Sequence, residues 1–361
     1  MNREGIIEKA LNGGYLTMEE GVELYENESL SNLMAIAHIL RERKAKKEVG
    51  WIIDRNVNIT NACLCRCRFC NFHRKPGSND IYVTGLEDYN LKIRELFDYG
   101  GDQLLLQGGL HPDLGLDFYT DLFARLKADW PDLKLHALGP PEIVHLSKIE
   151  GLSYAETIKK LVESGMNSLP GAGAEILVDR VREIISPAKC TSEEWLNVMR
   201  EVHKMGLVTS ATMMLGHVET VEERLEHLIR LREVQDEKPE ESPGFVAFIP
   251  WPFQSEGTVL EKKGLVTSTV SQEEYIRMIA ISRIMLPNII NIQASWLTVG
   301  IQTAQVCLHA GANDLGSVMI EENVVSSAGA NYTLNAAEMV EAIEEAGFEP
   351  RRRNQDYTFL E

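Results

Sequence analysis

The chain has 361 residues, 44% hydrophobic and 25% charged, and no run approaches the roughly 18 apolar residues of a membrane span. Thirty-six basic against 54 acidic residues leave a formal charge of −18, which repels a phosphate backbone and argues against nucleic acid as a partner. The N-terminal MNREGIIEKALNGG puts acidic residues where a secretory signal needs an apolar core, and it is no Arg-rich transit peptide, so a cytoplasmic protein with no membrane partner is expected.

Residues 1–50 read as an N-terminal helical extension. TMEE, Thr17 to Glu20, has capping-box spacing, and SNLMAIAHILRERKAKK follows with apolar residues at helical period. From Trp51 onward, short runs rich in Val, Ile and Leu alternate with amphipathic helical patterns. The predicted strands are WIIDRNVNI, DQLLLQG, LKLHAL, MNSLPGAG, LVTSATMML, GFVAFIPW, NIINIQASW and DLGSVMI. Eight such units predict an α/β fold, a (β/α)8 TIM-type barrel over residues 51–361 that includes a C-terminal helical region. An open doubly wound sheet is the alternative, but no strand is followed by a complete G-x-G-x-x-G turn. EVQDEKPEESPG, 233–244, reads as a solvated connection.

In such a barrel the segments following the strands share one mouth, where catalysis takes place. Here they include NACLCRCRFCNFHRK, QGGLHPD, HALGPPE, GAGAE, MMLGHVE, WPFQ, WLTVG and NDLG. Each has a plain reading as turn chemistry; the collection suggests a ligand-lined mouth.

Four of the six cysteines fall within NACLCRCRFC, while Cys190 and Cys307 stand alone. They are too crowded for a disulfide framework. Zinc commonly takes two separated ligand pairs, and only Cys67-x-x-Cys70 is a conventional pair. Read as C-x-x-x-C-x-x-C, Cys63, Cys67 and Cys70 can each bind one iron of a cubane, leaving the fourth iron open. Cys65 is then surplus, a packed or exposed free thiol.

That spacing, with Phe69 before the last cysteine and the loop directly after the first strand, resembles the radical S-adenosylmethionine (SAM) superfamily. The resemblance implies a [4Fe-4S] cluster whose open iron is chelated by SAM, and reductive cleavage of the sulfonium to a 5'-deoxyadenosyl radical. It implies that Phe69 contacts the adenine and that Gln107, Gly108 and Gly109 bring backbone to the methionine end. Leu110 stands where many relatives carry an acid. Glu175 and Arg182 become candidate partners of the ribose or the methionine carboxylate, and Met214 with Gly216 candidate adenine contacts; each has a structural role as its alternative.

Beyond the cluster loop, IIDRNVNITNAC, LQGGLHP, GHVET, FIPWPFQ and NDLGSVMIEENVVSSAGA resemble the enzymes of the futalosine route to menaquinone and their deazaflavin-making cousins, most of all the cyclic dehypoxanthinyl futalosine synthase family. This implies cyclisation of dehypoxanthine futalosine: the adenosyl radical removes a ribose hydrogen, and the carbon radical attacks the benzoate ring. An electron donor such as flavodoxin or ferredoxin is implied as partner. Aminofutalosine synthase and deazaflavin synthase are rival activities, and a noncatalytic metal or cluster carrier is the rival of another class. His111, His136, His217 and Glu219 follow predicted strands and are candidates to orient substrate or accept its proton, although a lone histidine is commonly structural. Trp251 and Phe253 are candidates to stack on the benzoate, or to pack. Asn313, Asp314 and Glu321 are candidates for the ribose hydroxyls, or for helix capping. His145, His203, His227 and His309 receive no role, and Trp296 reads as barrel filling.

Overall fold

A computed structural model describes residues 2–266, 269–321 and 334–360. Three helices, Arg3–Leu11, Met18–Asn27 and Leu30–Ala45, open the chain. Thr17 and Glu20 form the capping box read in the sequence, each side chain accepting from the other's backbone N–H. Helix Leu30–Ala45 is capped by Ser29 and packs along helix Gln272–Met285, so the extension is held against the outer helical layer.

The strands are β1 (Glu48–Ile52), β2 (Asp54–Asn58), β3 (Gln103–Gln107), β4 (Lys134–Ala137), β5 (Ser168–Leu169), β6 (Val208–Leu215), β7 (Phe245–Pro252), β8 (Asn291–Ile292), β9 (Asp314–Ser317) and β10 (Glu349–Arg352). Strands β2 to β8 form one parallel seven-stranded sheet in sequence order, and β10, β1 and β9 a second sheet of three. The two make one barrel. The single predicted strand WIIDRNVNI is divided at Ile53: its upper part, β2, pairs with β3, and its lower part, β1, pairs with β9. A bridge between Gln293 and Asp314 joins β8 to β9, and Val318 N donates to Ile52 O at 3.1 Å, so the curled sheet closes. Helices after the strands bury the outward apolar residues, among them Leu104, Leu106 and Leu135. This is the expected α/β barrel.

The expected C-terminal helix is Ala336–Glu345. Beyond it β10 runs parallel to the outer edge of β1, an element with no counterpart among the predicted strands. EPRR has no apolar alternation to reveal it. It matters because it delivers the next residues, 353–357, to the base of the barrel, where Arg353 N donates to Trp51 O at 2.9 Å.

Candidate active site

β2 runs straight into the cysteine loop, and neighbouring backbone holds that loop in place. Thr60 Oγ1 donates to Tyr82 O at 2.6 Å, Cys63 N to Arg74 O at 2.9 Å, Leu64 N to Leu110 O at 3.0 Å and Arg68 N to Ile185 O at 2.7 Å. Arg66 sits in the left-handed region, φ 49°, and turns the chain between Cys65 and Cys67. Cys63 Sγ accepts from the N–H groups of Cys65 and Leu110, each at 3.4 Å. The sulfur of Cys70 faces the N–H groups of Phe72 and His73. A hydrogen bond from the Cys65 thiol, aided by Leu110 N–H, holds Cys63 down at a pKa of about 5, whereas burial pushes Cys70 up to about 11. Cys65 lies between the sulfurs of Cys63 and Cys67, donating towards them and towards Ala188 O at 3.7 Å, and its own thiol is held far above the ordinary range.

Gly109 explains how β3 can end beneath this loop. A Cβ there would lie 2.2 Å from Ala62 O and 2.8 Å from Cys63 Cβ, while its N–H donates to Thr60 O at 2.8 Å. Opposite, Lys189 is partly buried, pairs with Glu175 at 2.6 Å and stands 5.2 Å from the Phe69 ring centroid. Burial opposes the charge on Glu175, but Lys189 and then Arg182 outweigh it and keep the carboxyl ionised below its usual range. Glu142, in the first turn of helix Pro140–Glu150, is 7% exposed, and burial pushes it up to about 7.

The donor chemistry suits an iron-sulfur cluster. All the cysteines are free thiols, three sit in C-x-x-x-C-x-x-C, and backbone N–H groups and the partly buried Lys189 ammonium stand ready to offset thiolate charge.

A cavity of about 420 Å³ runs from this loop into the barrel. Of the residues expected at the site, Cys63, Cys67, Cys70 and Phe69 line it, as do Gln107, Gly108 and Gly109 from β3, Glu175, His136 and Trp251. Its lower wall is a column not expected from the sequence: Asp54, Asn56 and Asn58 alternate inward along β2. Asp54 Oδ1 and Asn56 Oδ1 are buried with no hydrogen-bond partner among the described residues. His136 Nδ1 meets Ser168 Oγ at 2.7 Å and its Nε2 faces Gln355 at 3.4 Å; burial, then Arg353, pushes it down to about 3, so the ring is neutral. At the base, Arg353 bonds both oxygens of Asp314, at 2.5 and 2.8 Å, and its guanidinium lies 3.7 Å from the Tyr357 ring centroid.

Other expected residues stand away from the cavity wall. His111 closes a local turn, accepting from Asp113 N at 3.1 Å. His217 contacts Met214 O at 2.9 Å through Nε2 and stacks edge-on against Phe253. Burial would raise the Glu219 carboxyl, but His217, Arg224 and Gly216 N–H hold it well below the carboxylate range. This group is a closed turn after β6 in which Gly216 has φ 89°, Glu219 accepts from the N–H groups of Gly216 and His217, and Met214 is fully buried. The guanidinium of Arg182 is occupied by the carbonyls of Gly173, Ala174 and Cys190. Asn313 accepts from Arg283 and Ile292 N, Asp314 is taken by Arg353, and Glu321 pairs with Arg55 at 3.0 Å and with Lys92.

Residues 57–231 match the Radical SAM superfamily, and residues 242–361 match the CofH/MqnC C-terminal region. Cyclic dehypoxanthine futalosine synthase of Halalkalibacterium halodurans is 40% identical over all of this chain and 95% of its own length. The synthase of that name from Streptomyces coelicolor is 41% identical over 98% of this chain and 88% of its own. A 5-amino-6-(D-ribitylamino)uracil–L-tyrosine 4-hydroxyphenyl transferase of Methanosarcina barkeri is 38% identical, covering 98% and 93%. Among solved structures, methylornithine synthase PylB superposes with a TM-score of 0.72 at 20% identity, covering 97% of this chain and 98% of its own; the hydrogenase maturase HydG reaches 0.75 at 15%, covering 97% and 76%. At those identities the two structures speak for the fold.

Proposed function

Since the chain belongs to the radical SAM superfamily, in the family that holds the cyclic dehypoxanthine futalosine synthases, we propose that it converts dehypoxanthine futalosine to its cyclic form in menaquinone biosynthesis. It is a radical SAM enzyme with a [4Fe-4S] cluster and SAM as cofactors. The carrying observation is end-to-end identity of 40% and 41% to two synthases of that activity.

Bound together and reduced, cluster and SAM supply a hydrogen-abstracting 5'-deoxyadenosyl radical. Cys63, Cys67 and Cys70 hold the cluster, and Phe69, Gly108, Gly109 and Glu175 surround SAM; all of them line one cavity. The protein's remaining task is to hold a hydroxylated, aromatic substrate dry and still beneath them. The unpartnered oxygens of Asp54 and Asn56 suit ribose hydroxyls, which would satisfy two buried acceptors. Trp251, on the wall formed by β7, offers a face to the benzoate ring. His136, neutral and fixed by Ser168, orients rather than titrates. A flavodoxin or ferredoxin would serve as reductant. Among the described residues no helix is long and apolar enough to cross a membrane.

The test is anaerobic turnover of reconstituted protein with SAM, reductant and dehypoxanthine futalosine. A cyclic product two hydrogens lighter than the substrate, with equimolar 5'-deoxyadenosine, is expected. The 38% identity to the tyrosine hydroxyphenyl transferase favours a second reading, tested with L-tyrosine and 5-amino-6-(D-ribitylamino)uracil. Turnover of that pair alone would replace the proposal.

A further inference from the structure

The cavity beside the cysteine loop holds a buried carboxyl with no ion-pair partner among the described residues. Lys189 is its nearest cation, and Lys189 is already paired with Glu175 at 2.6 Å. Glu142 forms no ion pair among the described residues, although the charge of Lys189 reaches it; it is buried, lines the same cavity and lies close enough to Cys63 for their charges to interact. Its carboxyl faces the N–H of Gly108, the first glycine of the QGGL turn. A buried carboxylate whose nearest ammonium is already paired with another acid is costly to ionise, so a site built this way favours a cationic guest.

The QGGL turn itself cannot supply that charge. Leu110 is apolar and 8% exposed, and its N–H is taken by Cys63 Sγ at 3.4 Å. SAM carries an ammonium on its methionine end besides the sulfonium, and a net charge of +1. We propose that Glu142, reaching across from the helix that follows β4, receives the α-ammonium of SAM, so that the carboxylate missing at position 110 is supplied by the next unit of the barrel. Glu142 is thus a cofactor-positioning residue, its carboxyl beside the Gly108 N–H and on the cavity wall. The inference rests on the radical SAM reading of the site and is independent of which substrate is cyclised.

Binding without substrate tests it. Dissociation constants of SAM and of its desamino analogue, S-adenosyl-4-(methylthio)butyrate, which keeps the sulfonium, are measured on the cluster-loaded wild type, Glu142→Gln and Glu142→Asp, with iron content determined for each. The wild type should prefer SAM by on the order of 10 to 100-fold, the range of one charge-assisted hydrogen bond. In Glu142→Gln that preference should collapse to within about 3-fold, with iron content unchanged and the analogue bound as before; Glu142→Asp should fall between. Equal weakening of both ligands, an unchanged preference, or loss of iron from both variants would each overturn the assignment, the last by making Glu142 a support of the cysteine loop. Loss of cyclisation with the preference intact bears on the proposed function alone.

Discussion

Replacing Cys65 by Ala separates three ligands from four. Cys65 is 2% exposed, so removal of its sulfur leaves a cavity of about one methylene, worth about 0.8 kcal/mol, and deletes weak thiol hydrogen bonds worth less than about 1 kcal/mol. A 361-residue chain unfolds with an entropy of about 0.76 kcal/mol/K, so a loss of about 1.5 kcal/mol lowers Tm by about 2 °C. Cys63→Ala, Cys67→Ala and Cys70→Ala instead each remove a proposed iron ligand. Iron and sulfide per chain, and the change in the reduced electron paramagnetic resonance spectrum on adding SAM, are the measurements. Cys65→Ala should keep near-wild-type iron and the SAM response, while the other three should lose most of both. The adverse outcome is definite: iron loss in Cys65→Ala equal to that in Cys67→Ala refutes the three-ligand reading, because so small a packing loss cannot unload a cluster.

Gly109→Ala should impair cluster loading without gross unfolding, because the new Cβ would lie 2.2 Å from Ala62 O and displace the loop; iron content against circular dichroism checks it. Arg353→Met leaves Asp314 charged, buried and unpaired, and should cost about 3–5 kcal/mol, or about 5 °C in Tm, whereas Arg353→Met with Asp314→Leu should recover much of it. His136 and His227 are held by burial at about 3, and His203 at about 4, so all three are neutral when folded but protonate near 6.5 when unfolded. Their contribution is fully present above about pH 6.5 and lost as pH falls, about 2 kcal/mol each by pH 5. Glu142, raised to about 7, works in the opposite direction by about 2 kcal/mol, leaving a net loss of roughly 3 to 4 kcal/mol. Urea midpoints at pH 7 and pH 5 measure this, and a midpoint that holds or rises would contradict the burial of these rings.

The eight strands are legible in the sequence because inward and outward faces of a barrel are both covered, so each strand announces itself as a short apolar run. Cys63, Cys67, Cys70 and Phe69 are legible because their spacing is local. DRNVN is polar at four of five positions, so its letters alone do not separate Asp54, Asn56 and Asn58, which share the inward face, from Arg55, which pairs with Glu95 and Glu321 instead. GHVE looks like its equivalent at the end of β6, but Glu219 and His217 are taken up by Arg224, Met214 O and the backbone of their own turn, which four letters do not report. Lys189 lies in SPAKC between two helices, far in sequence from any strand end, and reaches the site only through tertiary packing. Arg353, Gln355 and Tyr357 escape notice because a charged edge strand, β10, has no apolar signature.

The division of the first strand between two partners sets an order for folding. Its upper half meets β3 across a separation of 49 residues, as between Asp54 and Gln103, while closure at the seam, Asp54 N to Ser317 Oγ, spans 263. Closing the longer loop costs more chain entropy, and contacts so distant in sequence form late. One strand therefore has an early half and a late half, and the seven-stranded sheet can stand as an open trough before β9 and β10 seal it. Pulsed hydrogen exchange during refolding reads this directly: the Ile59 amide, bonded to Gln107 O, should be protected before the Gly50 amide, bonded to Asn313 O. Simultaneous protection would mean that the barrel closes in one step. In the ordered case the cysteine loop sits on a wall that is already built while the far side still lies open, and that interval is the time when iron can arrive from the side as well as through the mouth.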